Sequence, residues 1–141
     1  MKSINQYINE ANFNIELDKS VKAAEKRKVQ NAIYKQLEKT GTTGKFYRDD
    51  SWEGVRLVSK DIEDAFKNIK NPEHEYEVSI AADNGGYRKS NDGMSEWKQY
   101  KVEIFVKNSE LPFMVGTLNC HAAGTVDDPF SMYDMSCCIG Y

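Results

Sequence analysis

With 141 residues, 40% of them hydrophobic and 29% charged, the chain has the make-up of one globular domain large enough to bury a core. No apolar run approaches the roughly 20 residues of a membrane span, and the three cysteines (Cys120, Cys137, Cys138), odd in number and late, fit a reducing compartment better than a disulfide framework. The formal charge of −3 divides into +3 over residues 1–39 and −6 over residues 40–141, which excludes a general polyanion binder and leaves one basic segment.

The first predicted element is a short amphipathic helix. Ser3 and Gln6 make a capping box. Ile4, Tyr7, Ile8 and Ala11 recur at helical spacing on one face. A helix this short needs a partner surface to persist in water, and no unbroken apolar core follows Lys2 as a secretory signal requires. The sequence Met-Lys-Ser, the helix, and its close on Ile8-Asn9-Glu10-Ala11 resemble the capsid-targeting sequence of internal head proteins in T-even-type bacteriophages. In that family the head-maturation protease cuts after Glu when Ile or Leu lies two residues earlier and a small residue follows. Ile8, Glu10 and Ala11 match that pattern, and no other Glu in the chain has Ile or Leu two positions before it. The resemblance covers about the first eleven residues only. It implies a removable helix over 1–10, a single domain over 11–141, packaging in the virion, and release into the host cytoplasm with the DNA. The implied partners are the phage head or scaffold and the protease, then a host defence protein, because family members of known function act against host defence, including by blocking restriction enzymes. The competing account is an N-terminal helix that packs on the domain and stays there. Asn12-Phe13-Asn14-Ile15 alternates polar and apolar, which suits a linker or a short edge strand.

Downstream, Asp18 or Ser20 is the expected cap of a helix reaching about Lys39. Val21, Ala24, Val29, Ala32, Ile33 and Leu37 supply its apolar stripe, and Gly41 stops it. Thr40 to Trp52 reads as loop and Val55–Val58 as a short strand. Ser59 is then the expected cap of a second helix carrying Ile62, Ala65, Phe66 and Ile69, ended by Asn71-Pro72. After Pro72 the apolar period changes to two. Tyr76, Val78, Ile80 and Ala82 form one run, and Tyr100, Val102, Ile104 and Val106 a second. Met114, Leu118 and Cys120 make the third, and Met135, Cys137 and Ile139 the fourth. Asp83 to Glu96 reads as a long polar hairpin loop, functional or mobile by its length. The expected fold is α+β: two to three helices, then a four-stranded antiparallel meander, with the helices packed on one sheet face.

The candidate chemistry is sparse. Gly41-Thr42-Thr43-Gly44-Lys45 has two residues between its glycines where a phosphate loop has four, and Phe46 follows the lysine. Cys120-His121 and Cys137-Cys138 lack the spacing of a zinc site, and neighbours on a strand face opposite ways. Buried cysteines acting as small hydrophobes are the simpler account. No catalytic set, metal site or cofactor site emerges. Glu73, Glu75 and Glu77 share strand parity and form an acidic stripe, most simply a solvated sheet face. The helix from Lys19 to Lys39 holds seven basic residues against two acidic ones. Lys19, Lys22, Lys26, Arg27, Lys28 and Lys35 are thus candidates for non-specific contact with packaged DNA or with a partner, beside the plainer account of a solvated helix face. Tyr87, Arg88, Trp97, Asp127 and Asp128 mark a candidate loop interaction site.

Three functions follow as expectations. The first is a packaged, trimmed head protein acting without catalysis as an inhibitor of a restriction-type defence. The second is an uncleaved phage or bacterial accessory domain that binds protein. The third is a small nucleotide-acting enzyme using Asp127, Asp128, His121 and Tyr133. None calls for a membrane.

Overall fold

Val29, Ile33 and Leu37 recur every four residues and are buried along one stripe of helix α1 (Ala23–Thr40). In the computed structural model, described over residues 16–44, 46–48, 51–89, 96–122 and 132–139, α1 begins later than its sequence suggests. Its N-cap is Lys22, which makes no side-chain cap. Asp18 is engaged elsewhere. Its carboxylate accepts from the Ser20 N–H at 2.9 Å and the Ser109 hydroxyl at 3.2 Å, and its own N–H donates to the Pro112 carbonyl at 2.9 Å. Those bonds pin the entering chain to a turn of the sheet, so neither Asp18 nor Ser20 caps the helix. Val21 is buried ahead of α1, while Ala24 is exposed and leaves the expected stripe.

At the other end Gly41 stops the helix as expected. Its φ of 68° lies in the left-handed region, and its N–H donates to the Leu37 carbonyl at 3.0 Å. A 3-10 turn over Thr42–Gly44 follows, in keeping with a helix stop and not a phosphate loop. The segment read as loop then forms a three-residue strand, β1 (Phe46–Arg48).

Helix α2 spans Ser51–Lys67 and corrects a second reading: Val55–Val58 is helical, and Ser59 lies inside the helix instead of capping it. Val55, Val58, Ile62 and Ala65 are buried in one continuous stripe that Ile69 extends beyond the helix end. Val55 and Val58 are three residues apart, so they fit that longer helical period. Asn71, in the left-handed region at φ 49°, turns the chain toward the sheet.

The remaining strands are β2 (Tyr76–Lys89), β3 (Glu96–Val106), β4 (Met114–Ala122) and β5 (Met132–Ile139). All pairings are antiparallel, in the order β1-β5-β4-β3-β2, so the expected four-stranded meander stands and β1 adds a fifth strand beyond β5. The long hairpin loop is shorter than its sequence implied. β2 continues through an irregularity between Ala82 and Tyr87 and pairs again with β3 as far as Lys89.

Both helices cover one sheet face. Tyr100, Val102 and Ile104 of β3, Met114, Leu118 and Cys120 of β4, and Ile139 of β5 join the helix stripes and Phe113 in one core. Tyr76, Val78 and Ile80 of β2 pack against it half-buried. On the opposite face Glu77, Ser79 and Ala81 are exposed, and Lys101 pairs with Glu103 at 3.6 Å. Near the end of β5 the backbones close up: a Cβ at Gly116 would stand 2.1 Å from the Cys138 carbonyl oxygen and 2.7 Å from the Ile139 Cα. There Gln30 donates to the Ile139 carbonyl at 2.6 Å. The Tyr34 hydroxyl donates to the same carbonyl at 3.1 Å and accepts from the Ile139 N–H at 2.9 Å.

Candidate functional site

β2 is the outermost strand on its side of the sheet, and beside it the helical layer leaves a groove of about 610 Å³. Phe66, Tyr76 and Val78 form its apolar part, with Glu63 and Lys67 of α2 on one rim and Glu75, Glu77 and Lys107 on the other. The aromatic part is fixed by packing. Tyr76 lies with ring centroids 5.6 Å from both Phe66 and Phe113, tilted at 53° and 56°, and His74 meets it edge-on at 6.4 Å.

Tyr76 is also fixed by its hydroxyl, which donates to the Glu25 carboxylate. Glu25 is only 3% exposed, and its carboxylate also accepts from the Glu73 N–H at 3.2 Å and meets Lys28 at 3.6 Å. The Tyr76 bond, supported by Glu73 and Lys28, outweighs desolvation and holds the Glu25 carboxyl below its ordinary range. Burial, then the Glu25 bond, pushes the Tyr76 phenol up. A proton stays on the tyrosine and a charge on the glutamate. The pair is a latch between α1 and the first residue of β2, and it sets the groove's aromatic wall in place.

The rim is acidic. Lys67 pairs with Asp64 at 3.8 Å and Lys107 with Glu75 at 3.4 Å. Glu63 and Glu77 are exposed and have no ion-pair partner among the described residues. Glu73, Glu75 and Glu77, read from the sequence as an acidic stripe, are all exposed here.

The other residues singled out from the sequence lie elsewhere. Ile8, Glu10 and Ala11 fall outside the described residues, as do Asp127 and Asp128. Lys19 and Lys22 precede α1, and Lys26, Arg27, Lys28 and Lys35 lie on it. Lys28 and Lys35 are one heptad apart and share a flank, whereas Arg27 and Lys26 sit on other parts of the helix circumference, so the basic residues do not make one stripe. Register sets Tyr87 opposite Lys98 and Arg88 opposite Trp97, within strands and not within a loop. His121 lies opposite Asp134, and Tyr133 lies opposite Ala122.

The cysteines are free, with Cys120 buried, Cys137 half-buried and Cys138 exposed. Burial pushes the Cys120 and Cys137 thiols up to about 12, a range in which a thiol is a poor nucleophile. Among the described residues no group of three or more His, Cys, Asp or Glu is placed to hold a metal ion. None of the described helices is long and apolar enough to cross a membrane.

Against protein-family models, curated proteins and solved structures alike, the chain has no match. Its site must be read from its own geometry.

The groove itself was missed in the sequence. Tyr76, Val78 and the glutamates were visible as a strand with an apolar and an acidic side, but Phe66, Glu63 and Lys67 belong to a separate element, α2. One signal was present. The first strand of a meander is an edge unless something later in the chain covers it.

Proposed function

We propose that the chain is an internal head protein of a tailed phage, directed into the capsid by residues 1–10, trimmed after Glu10, and carried into the host with the DNA. Residues 11–141 then act by contact, as a non-enzymatic inhibitor of a host defence protein of restriction type. The match of Ile8, Glu10 and Ala11 to a head-protease site carries this reading. The domain that such a cut would leave has its entering chain pinned to the sheet by Asp18, which bonds Ser109 and Pro112. The groove at β2, apolar on its floor and acidic on its rim, supplies a surface suited to contact.

The test is processing in cells that make the phage head and its protease. Glu10→Gln keeps shape and helix propensity but removes the charge, so the ten-residue peptide is expected to stay attached while the domain folds normally. Ile8→Asp is expected to block cutting as well. Trimming of Glu10→Gln at the parent rate, or absence of the protein from virions, would refute the reading.

A further inference from the structure

We infer that the free edge of β2 is a docking site for an extended segment of another protein, one that alternates apolar and basic residues and adds to the sheet as a sixth strand. The inference rests on the reading of this domain as one that acts by contact, and it names the surface and the partner chemistry.

Backbone geometry opens the edge. The Lys107 N–H donates to the Glu75 carbonyl at 2.8 Å, which makes these opposed residues a hydrogen-bonded pair. Hydrogen-bonded and non-hydrogen-bonded pairs alternate along an antiparallel ladder. With Tyr76 opposite Val106 and Val78 opposite Ile104, the N–H and C=O groups of Glu77, Ser79 and Ala81 therefore face β3. Those of Tyr76, Val78 and Ile80 face away from it, and no described strand lies beyond them. Natural edges are blunted by short strands, lysines, prolines or bulges. The run Tyr76–Ala82 has no lysine or proline, and its irregularity comes only after Ala82.

Side chains then fix what fits. Successive residues of an added strand would point alternately to the two sheet faces. Those on the helical side would enter the groove over Phe66, Tyr76 and Val78, which favours apolar groups. Those on the other side would lie beside Glu75, Glu77 and Ser79, near a rim whose lysine, Lys107, is already paired to Glu75. That favours lysine or arginine. Main-chain bonds supply the hold and alternate side chains the selectivity.

The probe is a synthetic peptide alternating lysine and valine, titrated into the full-length protein, with a glutamate–valine peptide of equal length as control. Binding is read by amide shifts and hydrogen exchange. The lysine–valine peptide is expected to bind more tightly, weaken with salt, and slow exchange at Val78 and Ile80 with little change at Glu77 and Ser79. In the double variant Glu75→Lys/Glu77→Lys, both exposed positions on that side, its affinity is expected to fall about tenfold. Folding of this variant is checked by circular dichroism, and Val78→Pro serves as a second variant that removes an outward donor. Equal binding of the two peptides, or binding that leaves Val78 and Ile80 exchange unchanged, would overturn the inference. So would slow exchange at those amides in the protein alone, whether independent of concentration (cover by the chain's own residues) or rising with it (cover by a second copy). The trimming experiment is separate: unhindered cutting of Glu10→Gln removes the delivery reading but not strand addition, and a peptide that misses β2 does the reverse.

Discussion

At one margin of the sheet β1 offers three residues, Phe46–Arg48, paired to β5; at the other, β2 runs from Tyr76 to Lys89. A three-residue strand presents little backbone to a passing chain, whereas the straight run of β2 before its irregularity presents outward groups at Tyr76, Val78 and Ile80. The two margins also differ in how α1 holds them. The β5 side is tied by neutral bonds, from Gln30 and Tyr34 to the Ile139 backbone, next to a close approach at Gly116. The β2 side is tied by an ionised group, Glu25, to the Tyr76 hydroxyl and the Glu73 N–H. One margin is closed and insensitive to acid. The other is open, and its anchor depends on a charge.

Three substitutions separate these margins. The largest effect is expected at Gly116→Ala, on the closed side, where the new Cβ would stand 2.1 Å from a backbone oxygen that no rotamer change can move. Overpacking of this kind is expected to cost about 3 kcal/mol in denaturant unfolding. A variant as stable as the parent would mean that the end of β5 does not cross Gly116.

Next comes Glu25→Gln on the open side, expected to cost about 1–3 kcal/mol at neutral pH by weakening the charged bonds to Tyr76 and Glu73. The sign of its pH dependence follows from the lowered carboxyl pKa. Stability from the ionised group is present above the ordinary glutamate value of 4.5 and is lost as pH falls through the lower folded value. Parent and variant should therefore converge in acid. A gap that stays constant from neutral pH to pH 3 would show that the Glu25 charge is not what holds the β2 margin.

The smallest effect is expected at Tyr34→Phe. It removes the acceptor of the Ile139 N–H while Gln30 keeps the carbonyl, for a loss of about 1 kcal/mol. Because that link is neutral, the loss should be the same at pH 7 and pH 4. Convergence in acid would erase the contrast between the margins.

Much of this architecture was legible in the chain. The period-two runs after Pro72 gave the meander, and Gly41 gave the end of α1, because both signals are local. The reading failed where tertiary contacts compete with local ones. Asp18 looks like a helix cap, yet its carboxylate is taken by Ser20 and Ser109, the latter 91 residues away. Val55–Val58 is a short, mostly apolar run that reads as a strand, but its valines, three apart, complete the helical stripe that Ile62 and Ala65 continue. Three residues such as Phe46–Arg48 are too few to show any period, and only pairing with β5 makes them a strand. For the site, the sequence showed one wall. Glu75, Glu77 and the alternation of Tyr76 and Val78 were plain, but that α2 stops short of covering them, leaving Phe66 beside Tyr76, depends on packing between distant segments.

The openness of the β2 edge is tested most directly by residue-resolved amide hydrogen exchange on the full-length protein alone, at neutral pH and at two concentrations. The Glu77 and Ser79 amides face β3 and the Val78 and Ile80 amides face outward. Exchange is therefore expected to alternate: slow at Glu77 and Ser79, fast at Val78 and Ile80, and the same at both concentrations. Uniformly slow exchange from Glu77 to Ile80 would contradict it, because the edge proposed to receive a partner would already be filled.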